Sequence, residues 1–449
     1  MQTFSKTFLT ATILLSSITA LSNAHAQNNA AFTFQLNMHG SRFTPNQAGT
    51  PDQVIAEVNA KQTVYLDNQA QFQIQTNTLY PGEIEFGFLI KGNAKGMVTA
   101  DMLLWRNGYE LDRADSKAAR QTYADLSFLT PSLLKTLATN RQAMTTPAEY
   151  QQDYQFESFI DFASRPATLV VRKSDQAIVS ARVGNISYEY AIGTDSSYDV
   201  TVKNNGALNA KWHIETKATP LQNLELSVAS AYVEKQDKGS LRVEELSDGV
   251  YRINGTASNY HSHFVVGDQS IAIFDAPVSP VETAQIRTLI EKTVPGKKIS
   301  HVIFSHTHRD HIGGAASYLQ AGVDFLTGKN GKISVARQFT NGVNEQTREI
   351  DSEQLIDLGN RPIRIFPINS SHASEMLVAY DQKSQTLLQG DFITLAEIGP
   401  VTAGFKVNEE LLNFIQERRL TVNRILGVHG RHTNLNELKE SVRLRMQKK

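Results

Sequence analysis

The chain contains no cysteine among its 449 residues. No disulfide can form, and anchoring through a lipidated cysteine is excluded. An excess of charge is missing as well, since 44 basic residues face 45 acidic ones for a formal net charge of -1. Nothing in that balance calls for nucleic acid or an anionic membrane surface as a partner. The basic run Arg443 to Lys449 reads as a solvated helix end that complements the helix dipole. No segment approaches the roughly 20 apolar residues a spanning helix needs, so no membrane span is expected. Two catalytic signatures are also absent. Gly322 to Gly328-Lys329 has five intervening residues where a phosphate loop needs four, and Asn330 replaces the required Ser or Thr. No Gly-x-Ser-x-Gly elbow points to a serine hydrolase.

What is present divides the chain in three. Lys6 followed by the apolar stretch Phe8 to Leu21 and the small-x-small site Ala24-His25-Ala26 reads as a secretory signal peptide over residues 1–26. A periplasmic or secreted protein with no membrane span follows from it. The remainder is long enough for two domains with cores of their own. The polar segment Glu234 to Ser240 is the best linker, which separates an N-terminal α+β domain at 27–238 from a second domain at 241–449.

In the first of these, Val64, Leu66, Phe72 and Ile74 alternate, and Ile84 to Ile90 continues the strand pattern after Pro81-Gly82. Thr130 is set to cap a helix with Pro131 at its first position and Leu133, Leu134 and Leu137 on one face. Strands return at Thr168 to Val171, Ala177 to Arg182, Ile186 to Tyr190 and Tyr198 to Lys203. The expectation is a curved antiparallel sheet packed on helices. It carries no catalytic constellation.

The chemistry lies in the second half. Of 12 histidines, only His25, His39 and His213 precede residue 261. The apolar run Val302-Ile303-Phe304 leads into Ser305-His306-Thr307-His308-Arg309-Asp310-His311, which Gly313 and Gly314 close before an expected helix at Ala315 to Gln320. Imidazole and carboxylate suit borderline metals, and such a loop can share its side chains between two of them, His306 and His308 to one, Asp310 and His311 to the other. One loop cannot fill two coordination spheres. Further donors stand where other strands run out: His372 after Ile363 to Ile368, Asp391 after Thr386 to Gly390, and His429 after Arg424 to Val428. His261 and His263, at i and i+2 beside a strand, read as ordinary polar residues of a strand edge that line the pocket at most, and His432 as a surface residue.

The ordered series Asp275, His306 to His311, His372, Asp391 and His429 resembles the metallo-β-lactamase superfamily, over about residues 241–449. The resemblance implies an αββα sandwich, two sheets back to back with helices outside and two divalent metal ions at one edge, zinc foremost with iron or manganese as alternatives. It implies that His306, His308 and His372 hold one ion, Asp310, His311 and His429 the other, and Asp391 both. Asp275 would orient the first ligand loop from behind. Without cysteine, the lactamase subclasses that use a thiolate are excluded, and His308 in place of glutamate argues against the di-iron oxygen-reducing branch. The carboxylate at 391 moves the weight toward relatives resembling hydroxyacylglutathione hydrolases, lactonases and phosphodiesterases, although no Arg-x-x-Lys pair of the kind that grips glutathione stands near the C-terminus. The implied reaction on a small-molecule substrate is attack by a metal-bridging hydroxide on an ester, thioester or lactone, with Asp310 orienting it. Phosphodiester or β-lactam cleavage comes next, and a metal-stabilised ligand-binding protein is the reading from another class. No feature of the sequence speaks to oligomeric state.

Overall fold

The structure, a computed structural model, describes residues 33–448 apart from 46–53, 68, 81, 102–109, 138–140, 194–196, 220–225, 229, 231, 235–239, 257–259, 278, 321, 337 and 340–345. The segment read as a signal peptide and most of the linker, 235–239, lie outside the described residues.

Alternating burial builds the first half. Leu36 and Met38, Val64 and Leu66, Phe72 and Ile74, Leu169 and Val171, Val200 and Val202, and Trp212 and Ile214 are all buried in one core. Residues two apart in a strand share a face, so each pair commits its strand to the same side. The result is a 14-stranded sheet, antiparallel apart from the two-residue strand Val233–Glu234, which runs parallel to Glu110–Ala114. Thr33–Pro45 lies in its interior, paired on one side with Val54–Asp67 and on the other with Ala207–Thr219. Those long strands carry polar residues and interrupt the alternation with Gly40, which is why the pattern marks the shorter strands more clearly. The helix Ser116–Ser127 covers the buried face, capped by Asp115, whose Oδ1 accepts from Ala118 N at 2.8 Å. Tyr123 in that helix is fully buried and donates to the carbonyl of Asp67. Pro131–Leu137 follows as a short helix with Leu134 N bonded to Thr130 O, and Leu133 and Leu134 enter the core.

The second half forms two further sheets. Seven strands run in the order Arg242–Ser247, Val250–Asn254, Ser262–Val266, Ser270–Phe274, Lys298–Ile303, Asp324–Gly328 and Thr347–Ile350, antiparallel through the first four and parallel from Ser270–Phe274 onward. Five more, Gln354–Asp357, Pro362–Pro367, Leu377–Asp381, Thr386–Gln389 and Arg424–Gly427, make the second sheet, with only the last pair parallel. One apolar core joins Val265, Phe274, Ile303 and Leu326 of the first to Ile363, Leu377, Leu388 and Leu426 of the second. Ile286 and Ile290 of the helix Pro280–Thr293 pack on the seven-stranded sheet, and Leu411, Phe414 and Leu438, from Lys406–Glu417 and Leu435–Lys448, pack with the five-stranded one. The buried runs of Ser270–Phe274 and Leu377–Asp381 are continuous because both of their faces are covered.

The helix expected at Ala315 to Gln320 is instead a 3-10 turn, Ala315–Tyr318, and the helical turn lies earlier, at Arg309–Ile312 within the histidine motif itself. The segment is pinned across the helix Pro280–Thr293. Arg287 Nη1 donates to Ser317 O at 2.6 Å and Ser317 Oγ to Pro280 O at 2.6 Å, which stops propagation after one turn. His261 and His263 also differ from expectation. Ser262–Val266 is an interior strand and both imidazoles are buried, because the neighbouring strands close over them.

The two sheets of this half are tied by a buried ion pair. Arg361 Nη2 lies 2.6 Å from Asp381 Oδ2, and Arg361 Nη1 donates to Val266 O at 3.2 Å across to the seven-stranded sheet. Asp381→Ala is expected to cost about 3–5 kcal/mol because it strands the guanidinium in the interior. Urea unfolding followed by near-ultraviolet circular dichroism would read the loss, and an unchanged midpoint would show that water reaches Arg361.

Candidate metal centre

The strand Ser270–Phe274 ends at Asp275, which is fully buried and takes a left-handed backbone with φ of 59°. That conformation suits a short polar side chain better than a branched one. It turns the carboxylate toward the end of the neighbouring strand. Ser305 N donates to Asp275 Oδ1 at 2.7 Å, Ser305 Oγ to Oδ2 at 2.8 Å, and His311 Nδ1 lies 2.9 Å from Oδ2. One carboxylate therefore holds both ends of the loop 305–311. By taking the Nδ1 proton of His311 it leaves Nε2 facing outward as the donor atom. Gly390 is needed opposite, since a Cβ there would meet Ser305 Oγ at 2.4 Å and His306 Nδ1 at 3.1 Å.

All seven donors predicted from the sequence converge. His306, His308, His372 and Asp391 form one group and Asp310, His311, Asp391 and His429 another, the donor atoms within each lying within 4.8 Å of one another. Asp391 divides its oxygens between them. Its Oδ2 is 3.1 Å from His372 Nε2 and 3.7 Å from His306 Nε2, and its Oδ1 is 3.1 Å from His311 Nε2 and 3.2 Å from His429 Nε2. Asp310 Oδ2 closes the second group at 3.2 Å from His429 Nε2 and 3.6 Å from His311 Nε2.

These residues fit divalent ions on two counts. Ligands 2.0–2.1 Å from a tetrahedral centre stand about 3.3 Å from one another, and the distances above cluster there. Polar atoms also crowd together across the site: His306 and His372 present Nε2 to Nε2 at 3.3 Å, and the buried His311 Nε2 and Asp391 Oδ1 make no hydrogen bond despite their approach. Buried polar atoms are rarely left so unless something else binds them.

The two groups differ electrostatically. Burial holds His306 well below the usual imidazole range, with the neighbouring His311 and His308 adding to it, and burial pushes His308 down to about 4. Both are neutral and ready as ligands. His311 moves the other way: burial opposes its charge, but the carboxylates of Asp391, Asp310 and Asp275 outweigh that and raise it well above the ordinary value. Asp391 and Asp310 are held below the carboxylate range by the same partners in spite of burial, His311 contributing most to each.

Sequence reasoning passed over several supports. Glu375, three residues after His372, accepts from Thr307 Oγ1 at 2.7 Å and Thr307 N at 3.2 Å, tying the His372 loop to the His306 loop. A lone carboxylate in a loop of small residues was its signal. Ser305 is the hinge of the Asp275 network. His261 Nε2 lies 2.8 Å from Glu397 Oε1, Arg252 Nη2 donates to Gly430 O at 2.9 Å beside His429, and the Tyr260 ring meets His429 edge-on at 4.6 Å. His432 is exposed.

In the metal-free protein the proton on His311 must leave before that nitrogen can bind an ion, whereas His306 and His308 carry none. Metal uptake is therefore expected to release about one proton near neutral pH. As pH falls, the group that contains His311 is expected to lose its ion before the group that contains His306 and His308. Calorimetric titration in buffers of different ionisation enthalpy checks this, and uptake without proton release would contradict it.

Comparison with known proteins bears on the same region. Residues 255–325 match the family model described as Metallo-beta-lactamase superfamily. The "Metallo-beta-lactamase type 2" of Bacillus sp. (strain 170) is 22% identical over 213 residues, 44% of this chain and 79% of that protein. The "2,4-dinitroanisole O-demethylase subunit alpha" of Nocardioides sp. (strain JS1661) is 22% identical over 153 residues, 34% of this chain and 44% of that one. A solved metallo-beta-lactamase from Pontibacter korlensis aligns with a TM-score of 0.39 and 16% identity, covering 46% of this chain and 99% of its own. Residues 255–325 are thus similar to the metallo-β-lactamase superfamily, and the matches point to a metal-dependent hydrolase.

Proposed function

We propose that the chain is a dinuclear-metal hydrolase of a small-molecule ester, thioester or lactone, with residues 241–449 as an αββα catalytic unit exported behind the signal-like segment 1–26. The observation that carries the reading is Asp391, whose two oxygens face two separate sets of donors. A single structural ion would need only one set. His306, His308 and His372 would hold the first ion, Asp310, His311 and His429 the second, with Asp391 common to both and zinc the foremost candidate. Two divalent ions so held supply Lewis acidity and a water acidified to near neutrality.

The protein's own part is positioning and proton handling. Asp275, Ser305 and Glu375 keep the ligand loops rigid, so little reorganisation accompanies the reaction. Asp310 turns Oδ2 toward His311 and His429, and its side chain is 32% exposed where His306 and His311 are closed off. It is the carboxylate that faces arriving substrate. Held ionised, it orients the attacking water and accepts its proton, then returns the proton to the leaving oxygen or sulfur. A carbonyl substrate is placed first on the resemblance of the carboxylate at 391 to the hydroxyacylglutathione hydrolase and lactonase branch, and a phosphodiester, whose hydrolases share that carboxylate, stays in the test panel. β-Lactam cleavage is the second reading, carried by the names of the similar Bacillus proteins.

The test is turnover of residues 27–449, loaded with zinc, on a panel of lactone, thioester, phosphodiester and β-lactam substrates. Activity on a carbonyl ester, thioester or lactone, abolished in His306→Ala, is the expected result; activity on β-lactams alone would transfer the assignment to the second reading. Silence across the panel in fully metallated protein would sink hydrolysis in favour of a metal-stabilised binding protein. Asp310→Asn is expected to lower kcat by about 10²–10⁴-fold while the protein stays folded. Unchanged kcat in that variant would remove Asp310 from the proton transfer.

A further inference from the structure

One part of the N-terminal sheet belongs to the other half of the molecule. The strands Phe72–Tyr80 and Ile84–Asn93 are joined by a three-residue connection, Tyr80 pairing with Ile84 across it. Gly82 and Glu83 both take left-handed backbone, with φ of 85° and 57°. Their tip does not end in solvent. Gly82 is buried, and a Cβ built on it would stand 2.6 Å from Val407 Cγ1 and 3.4 Å from His372 Cβ. Ile84 is 5% exposed and shares the core of the five-stranded sheet with Phe366, Ile368, Met376 and Val407. Glu83 Oε2 lies 2.6 Å from Nη2 of Arg445 in the last helix.

One turn thus lies over His372 at Gly82, held there by Ile84 in the core beneath and by the pairing of Glu83 with the last helix. The loop that carries His372 is held from its other sides by Glu410, which accepts from Ser371 N at 3.0 Å, and by Glu375, which grips Thr307. The hairpin tip supplies what those two do not. It lies over the donor residue: a Cβ at 82 would crowd Val407 and reach van der Waals contact with His372 Cβ and Cα at 3.4 and 3.6 Å. A metal ligand performs only when its orientation is fixed by its surroundings, and partners behind the ligand change metal affinity by about 10–100-fold.

We propose that Gly82 and Glu83 are positioning residues of the metal centre, by which the N-terminal sheet sets the placement of His372. The proposal rests on the two-metal reading above. It makes the N-terminal half a constituent of the site, so that anything bound to or displacing that sheet reaches the first metal through a single turn.

Cobalt(II) tests it in the full chain, since its visible spectrum reports ligand geometry without requiring turnover. Gly82→Ala is expected to weaken one of two cobalt sites by about tenfold and to alter its visible bands. Gly206→Ala is the control, because Gly206 has φ of 81° in the same sheet but nothing within 4 Å of a built Cβ, so it brings equal backbone strain without the contact. Glu83→Gln and Arg445→Gln, which release the ion pair and leave the backbone free, should shift the same bands in the same direction by less. They decide the matter if Gly82→Ala does not fold. Cobalt spectra and affinities that are the same in wild type, in the folded Gly82→Ala protein and in both ion-pair variants would overturn the proposal while leaving the metal centre intact. A wild type that takes up no cobalt would overturn both.

Discussion

The carboxylate of Asp275 is the fixed point of the second half of the molecule. It is buried, and its oxygens are satisfied by Ser305 and His311. Interior carboxylates are tolerated only with such bonding. Here that requirement does structural duty: the bonds that make Asp275 bearable are those that shape the loop 305–311. Ser305 in turn receives Leu377 N on its carbonyl at 2.7 Å, which binds the five-stranded sheet to the same hinge. Gly390 has room for no side chain because Ser305 and His306 occupy that space.

From that hinge, the two donor groups acquire opposite characters. His306 and His308 sit among other imidazoles, and burial with like-charged neighbours keeps them neutral. His311 sits among three carboxylates and favours its charged form. The same residue types in one short motif thus end on either side of neutrality, since each reports its neighbours and not its position in the chain. Asp391 spans the boundary with one oxygen on each side, and its placement after Thr386–Gln389 brings the second sheet's contribution to both groups at once.

The halves of the chain have separate cores for most of their length, the sheet and helices of the first drawing on Leu36 to Ile214 and those of the second on residues beyond 240. Ile84 is the departure, a strand residue of the first sheet counted in a core of the second half. Its partners Val407 and Phe366 lie far along the chain, so no local pattern could announce the contact. Ile84 reads in sequence like any inward residue of its own strand.

Strand positions were legible wherever alternation was strong, as at Phe72 and Ile74 or Thr168 to Val171, because period-two burial is written locally. Thr33–Pro45 and Ala207–Thr219 were not, their buried residues being spread among polar ones. The donor set was legible too, since imidazoles and carboxylates at the ends of apolar runs declare both their chemistry and their place at a sheet's edge. By itself, then, the sequence determined which side chains are available to a metal and in what order the strands deliver them. Only the tertiary structure decided that Asp391 divides its oxygens, that Glu375 locks two loops together, that His261 and His263 turn inward, and that a turn near residue 82 reaches His372. Each of these depends on which loops meet when two sheets pack and a third leans on them, and packing across sheets leaves no periodic trace along the chain.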